Sequence, residues 1–408
     1  MLMKYVVGVV VLALVYGGGR IKFLAWDGAS NAGEVPTIRT AGIWPKNTLR
    51  IRNQLLRHHL GLEMDGKPGP GNEFGADWEE IVELSLEDYD EAEKSVAVEA
   101  AAGAKIVMMP ELALVTFDDP AFPKSLSTPV ILERMAKLAK ENDVFVGIGI
   151  GFNKPFDRVP YLPGYLKAAL NIDEMVGMES NRFLLFSPRP ISKEEFDEII
   201  NGEQGHEHIN LNYRKMNPVP VIETPFVYPG NATIPVHDIN FFGDGSEPVK
   251  TSAAICFDME NPTHIRGTSP SNVVLNPSFD WPGLNPYHAR IVAFRAIENG
   301  ANIFHHCLAG TSFAVDYIGN VLAQTDYFSV SGFHPERRCV PMKEKPCINE
   351  NIVAMMPTVG VRTLYGAVGD VLAWSCVFLT VAMTLKYWLF AGRSGQGGNV
   401  GGRKCKAS

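Results

Sequence analysis

Thr251-Ser-Ala-Ala-Ile-Cys-Phe-Asp-Met-Glu260 is the stretch on which the fold turns. Its small apolar run, Ala253, Ala254 and Ile255, predicts a buried strand of about five residues. The strand ends at Cys256, and polar residues follow at once. A thiol at the carboxyl end of a buried strand stands where open α/β sheets place their chemistry. Two other strand ends carry groups that complement it. Lys105-Ile-Val-Met-Met-Pro-Glu111 closes an apolar run with a carboxylate, and Asn212-Tyr-Arg-Lys215 sets a lysine before a Pro-rich turn. The pattern predicts that Glu111, Lys215 and Cys256 converge on one site.

Working outward, helical and strand-like segments alternate, which predicts an α/β fold. Strands are predicted at Pro36–Ile43, Lys105–Met109, Val144–Ile150, Asn181–Phe186, Asn272–Leu275 and Ala301–Phe304, and a hairpin turns at Gly319-Asn320. Asp77 to Ala102 is rich in helix formers, and Gly103 stops it. A second helix is predicted with Thr128 as its N-cap and Pro129 at the first helical position, broken at Asn142-Asp143, with Ile131, Leu132, Met135, Leu138 and Ala139 on one face. Ile191–Ile200 is a short third. In the helix Tyr287–Glu298, Ile291, Phe294 and Ile297 are expected inward. The pair His206 and His208 is expected in a solvated loop, with no further metal ligand nearby. Cys307 reads as a buried small hydrophobe.

The net charge is -8, which gives a nucleic-acid role no electrostatic support. Six cysteines in 408 residues do not make a disulfide scaffold, although Cys339 and Cys347 lie close enough in a polar loop to pair in an oxidising compartment. Residues 1–20 hold a short apolar segment flanked by Lys4 and Arg20, expected as a retained transmembrane or signal anchor, with a cleaved signal peptide as the rival reading. A transmembrane helix is expected over 366–391, followed by a basic, glycine-rich tail over 392–408. With both termini inside, the domain between them lies on the extracytoplasmic or lumenal side.

The chemistry follows from the three side chains. An apolar setting raises a carboxylate toward pKa values useful for proton transfer. A cysteine must lose its proton to become a good nucleophile. An ammonium nearby stabilises a thiolate and the oxyanion of a tetrahedral intermediate. Together they suffice for acyl transfer through a thioester without metal or organic cofactor.

Met109-Pro-Glu111-Leu-Ala-Leu, Tyr213-Arg-Lys215 and Ile255-Cys256-Phe-Asp258, in that order, resemble the three signatures of the nitrilase (carbon–nitrogen hydrolase) superfamily. The resemblance covers about residues 75–330 and places a nitrilase-like domain over 21–365. It implies an αββα sandwich, with Glu111 as general base, Lys215 as oxyanion stabiliser and Cys256 as nucleophile. Lys215-Met-Asn-Pro-Val-Pro-Val-Ile-Glu223 and His288-Ala-Arg-Ile-Val-Ala-Phe-Arg295-Ala-Ile-Glu298 resemble the apolipoprotein N-acyltransferase branch. That likeness implies support from Glu223, Asp258, Phe257 and Trp281. Phe257-Asp258 departs from the branch's Tyr-Glu, and the branch's large N-terminal membrane bundle is missing. The expected activity is hydrolysis of a small amide by a membrane-anchored enzyme; the alternative is transfer of an acyl group from phospholipid to an amine. Nitrilase-fold proteins often pair, so a homo-oligomer stays open.

Overall fold

The computed structural model describes residues 35–48, 50–52, 78–118, 122–155, 176–200, 206–220, 223, 227–243, 245–280, 284, 286–325 and 351–394. Twelve strands are described among these residues, in two six-stranded sheets. In the first sheet the order is β12 (Ile352–Pro357), β1 (Thr37–Gly42), β2 (Ile106–Met108), β3 (Phe145–Pro155), β4 (Val176–Phe186), β5 (Ile209–Arg214). In the second it is β11 (Val321–Gln324), β10 (Phe313–Val315), β9 (Asn302–Leu308), β8 (Val273–Phe279), β7 (Val249–Ala253), β6 (His237–Ile239). The centre of each sheet is parallel: β1 beside β2 and β3, and β7 beside β8 and β9.

Alternation along the strands decides what each face meets. Ile106 and Met108 of β2, Phe183 and Leu185 of β4, and Leu211 and Tyr213 of β5 join Ala253, Val274, Leu275 and Phe304 in one core between the sheets. The intervening residues, Val107, Leu184 and Phe186, point the other way. They meet Tyr89 and Val96 of α1 (Trp78–Ala101) and Ile131, Leu132 and Met135 of α2 (Thr128–Asn142). On the second sheet, Val292 and Ala296 of α5 (Tyr287–Asn299) join the shared core. The layers are therefore helix, sheet, sheet, helix, as the resemblance implied. Among the described residues, two short helices lie between α2 and α5: α3 (Lys193–Ile200) and α4 (Pro262–Ile265).

Punctuation follows the expected residues. Gly103 lies at φ 87° just past α1, Gly300 caps α5 at φ 68°, and Asp143 ends α2 at φ 48°. The start of α2 moves by one: Ser127 is the N-cap and Thr128 is already helical.

Four expectations need correction. Strand β8 runs through Asn276 and Pro277 to Phe279 rather than ending at Leu275. Its pairing with β7 covers only Val273–Leu275, so the missing N–H of Pro277 costs no ladder bond on that side. In α5 the face turned inward is His288, Val292, Ala296 and Asn299; Phe294 and Ile297 are exposed. The inward stripe is the one whose polar members find partners: His288 meets Asp280 and the Cys256 carbonyl, and Asn299 donates to Arg295 O. Helix α6 (Leu364–Val368) leads into α7 (Val371–Ser394), and no helix among the described residues is long and apolar enough to cross a membrane. The span expected over 366–391 is thus not found. Ser375, Thr380 and Thr384 interrupt the apolar run by bonding back to their own helix, and Lys386 adds a charge. The N-terminal segment 1–20, the tail from 395 on and the Cys339–Cys347 loop lie outside the described residues. Finally, His208 is buried rather than solvated, with its ring on Ser187 O at 3.3 Å.

Candidate active site

Three strand ends deliver the three predicted side chains to one region. Strand β2 stops at Met108, and Met109-Pro110-Glu111 runs on beside the first half of β3: Met109 N donates to Gly147 O at 2.8 Å and Ala113 N to Gly149 O at 3.0 Å. Leu112, next to Glu111, is held at φ 54°. Lys215 follows the last residue of β5, its N–H donating to Asn181 O at 2.8 Å. Cys256 comes three residues after β7 and opens a 3-10 turn with φ 43°. An unbranched left-handed residue at that place costs on the order of 1–3 kcal/mol and persists only where its surroundings hold it.

Lys215 is wholly buried and joins two carboxylates. Its Nζ donates to Glu111 Oε1 at 2.7 Å and reaches Glu223 Oε1 at 2.9 Å and Oε2 at 2.7 Å. Glu111 Oε1 also accepts from Asn181 Nδ2 at 2.6 Å, while Oε2 is buried with no partner among the described residues. Glu223 is fixed in turn by Val219 N at 2.7 Å. The Cys256 thiol lies against Phe279 O at 3.7 Å.

Burial, reinforced by Glu223, pushes the Glu111 carboxyl above its ordinary range, although Lys215 and Asn181 pull against it. Burial alone would lower the Lys215 ammonium, but Glu111, Glu223 and Cys256 outweigh it and hold the pKa well above the usual value. Burial and then Glu111 push the Cys256 thiol up, with Lys215 opposing. At rest the site therefore holds a protonated thiol, a firm ammonium and a carboxyl group poised to exchange a proton.

Asp258 does not face the reacting groups. Its Oδ1 accepts from Met216 N (3.2 Å), Asn217 N (2.8 Å) and Asn217 Nδ2 (2.9 Å). Its Oδ2 accepts from Ile255 N (3.0 Å) and Tyr213 Oη (2.7 Å). It ties the loop after Lys215 to the turn that bears Cys256. Phe257 is partly buried and packs on the inter-sheet core. Trp281 lies outside the described residues.

The sequence reading missed Asn181 and a second buried cluster behind the thiol. Asp280, the residue after β8, meets His288 Nδ1 at 2.8 Å, and His288 Nε2 lies 3.2 Å from Cys256 O. His305 Nδ1 lies 2.5 Å from Asn276 Oδ1. The available signal was a carboxylate at a fourth strand end, eight residues before a histidine. Cys256, Asp280 and His288, and likewise Asp280, His305 and Cys307, bring donor atoms within 4.8 Å of one another. Asp280 and His288 already satisfy each other there, and no metal is assigned to either group.

The family model described as "Carbon-nitrogen hydrolase" matches residues 72–331. Similar solved structures include an amidase from Nesterenkonia sp., at 15% identity over 80% of this chain and 94% of that one, with TM-score 0.45. A cysteine-to-alanine mutant of the Nesterenkonia AN1 amidase, described as from the nitrilase superfamily, matches at 15% identity over the same shares with TM-score 0.44. A glutamate-to-glutamine mutant of that amidase, with the acetamide moiety of fluoroacetamide added covalently at its active-site cysteine, matches at 15% identity over 80% and 94% with TM-score 0.45. No curated protein matches the sequence.

Proposed function

The chain belongs to the carbon–nitrogen hydrolase family, and from that premise we propose that it cleaves an amide bond through a thioester on Cys256. The observation that carries this reading is the buried contact of 2.7 Å between Lys215 Nζ and Glu111 Oε1, made by side chains 104 positions apart. Neither group would be buried without a partner, and a charge pair of this kind is an expensive way to stabilise a core.

Glu111 Oε2, the oxygen that Lys215 and Asn181 leave unengaged, takes the proton from the Cys256 thiol. The sulfur attacks the amide carbon, and the carbonyl oxygen gathers negative charge facing the Lys215 ammonium. As the C–N bond breaks, Glu111 returns the proton to the departing amine. Water, losing a proton to the same carboxylate, then opens the thioester and releases the acid. Glu223 keeps Lys215 cationic throughout, and Asp258 holds the two loops in register.

The second reading replaces water with an amine and takes the acyl group from a phospholipid. Helix α7 favours it: Trp374, Val377, Phe378, Leu379, Val381 and Met383 are all exposed, on every side of the helix. An apolar surface of that extent calls for an apolar neighbour. We place the helix against a lipid surface, on the extracytoplasmic or lumenal side.

The test is incubation of the full chain with a labelled phospholipid, an amine acceptor and a panel of small amides, followed by intact-mass measurement. The expected result is an acyl adduct on Cys256 and release of ammonia or amine from an amide, with nothing from Cys256→Ala. An amide product formed from phospholipid selects acyl transfer. Turnover persisting in folded Cys256→Ala rejects both readings.

A further inference from the structure

His288 sits in the first turn of α5, 2% exposed. Its two ring nitrogens meet Asp280 Oδ1 at 2.8 Å and the Cys256 carbonyl oxygen at 3.2 Å. Both partners are acceptors. A neutral imidazole has a single N–H, so one contact would set lone pair against lone pair in a dry site. With Asp280 ionised, only the doubly protonated ring satisfies both. His305 shows the opposite arrangement nearby. Asn276 Nδ2 donates to Ala254 O at 2.6 Å, which turns Oδ1 toward His305 Nδ1 and makes that nitrogen the donor. Its Nε2 has no partner among the described residues, so nothing there calls for a second N–H.

We propose that His288 is a positioning residue held as an imidazolium at neutral pH, which neutralises Asp280 beside the thiol and grips the Cys256 carbonyl. The inference rests on Cys256 being the nucleophile and adds a reason for its reactivity. Cys256 Sγ, an Asp280 oxygen and a His288 nitrogen lie within 4.8 Å of one another. A bare carboxylate at that distance suppresses the thiolate; the imidazolium cancels it. The same ring holds the carbonyl of a residue at φ 43°, so charge and backbone geometry depend on one group.

The remaining surroundings agree. Burial would lower the His288 pKa, but Asp280, with Glu260 and the Cys256 carbonyl, raises it above the ordinary value. Burial would raise Asp280, but the charge and hydrogen bond of His288 hold it below the usual carboxylate range. His305, with ring centroids 5.5 Å apart and planes at 90°, is kept neutral by burial, its pKa pushed down to about 3. Cys307, whose thiol is pushed up by burial and then by Asp280, adds no charge.

The experiment uses the full chain and two readouts, neither requiring a known substrate. In 15N-labelled protein at pH 7, both His288 ring nitrogens are expected to carry hydrogen. Iodoacetamide labelling of Cys256, followed by mass across pH, reports the thiolate. In His288→Asn the bare Asp280 is expected to slow labelling at pH 7 by about tenfold or more and to move its pH midpoint up by about a unit. Adding Asp280→Asn removes the second charge and is expected to restore labelling to within about threefold. A purely structural role leaves the double variant at least as slow as the single one, and that result overturns the proposal. So does a wild-type ring with one N–H at pH 7. Should His288→Asn not fold, Asp280→Asn alone decides: its amide donates to a neutral Nδ1, so the ring must switch to one N–H, and retention of two overturns the idea. Failure of the nucleophile reading shows separately, as turnover by Cys256→Ala, and leaves the ring spectrum unchanged.

Discussion

Asp258→Asn exchanges a wholly buried carboxylate that receives five hydrogen bonds for an amide that can receive them on one oxygen only. The least costly orientation keeps the oxygen at the Oδ1 position, where three donors from Met216 and Asn217 converge. The amide nitrogen then faces Tyr213 and Ile255. Tyr213 can adapt, because its hydroxyl can turn to His264 Nε2 at 2.9 Å and accept from the new amide. Ile255 N cannot; it is left pointing at another N–H, which costs about 1–3 kcal/mol. The three retained bonds lose their charge assistance, together on the order of 2 kcal/mol, and relief of a buried charge returns part of that. The net expectation is a loss of about 2–4 kcal/mol, a sizeable share of the roughly 5–15 kcal/mol that holds a domain folded. Because the carboxylate binds the Cys256 turn to the Lys215 loop, turnover should fall by more than tenfold under conditions where the variant is fully folded. Urea unfolding with a fixed slope supplies the first number, and steady-state kinetics the second. A midpoint shift worth under about 1 kcal/mol, with activity intact, refutes the claim that this clamp holds the site together.

Gly149→Ala places a methyl group 2.3 Å from Pro110 O and 2.7 Å from Glu111 Cα, so the Glu111 loop must move; the expected cost is about 1–3 kcal/mol, with loss of most activity, checked by thermal melts beside kinetics. Glu223→Gln removes a charge that raises the Glu111 pKa, so the acid limb of the activity profile should move to lower pH, which a pH–rate series reads directly. His305 and His306 are held neutral by burial, their pKa values pushed from 6.5 down to about 3 and about 4. Both folded values lie below the unfolded one, so the unfolded chain binds the extra protons and stability falls as pH drops below 6.5. By pH 4 the two should cost on the order of 5 kcal/mol together, measured as denaturation midpoints against pH. Asp280 and His288 behave differently: the lowered carboxylate contributes above pH 3.8 and is lost as pH falls further, whereas the raised imidazole contributes below pH 6.5 and is lost on the alkaline side.

Much of this was legible in the chain. The run Lys105–Met109 reads as a buried strand, found as Ile106–Met108, and Glu111 stands just beyond it, although Pro-Glu taken alone reads as an ordinary turn. That Glu111 meets Lys215, 104 positions away, was legible only through the ordered motifs, because no local rule joins distant strand ends. The inward face of α5 was misread for a physical reason. Phe294 and Ile297 carry more apolar area than His288 and Ala296, yet they are exposed, and the inward stripe places the histidine against two partners. Those partners, a carboxylate eight residues upstream and a backbone carbonyl 32 residues upstream, leave no periodic trace. Helix α7 was expected to span because apolar residues dominate it; its hydroxyls and Lys386 weigh against that in a way a count of apolar residues obscures.

Strand β12 lies antiparallel beside β1, Thr37 opposite Pro357 and Gly42 opposite Ile352. During synthesis β1 therefore waits for about 300 further residues before its outer edge is covered. Until then its unpaired amides and carbonyls are open to any passing strand, its own or another molecule's. Chains released early, or stalled short of Ile352, should clump rather than persist as soluble intermediates, and nascent protein should depend on chaperones until β12 has emerged.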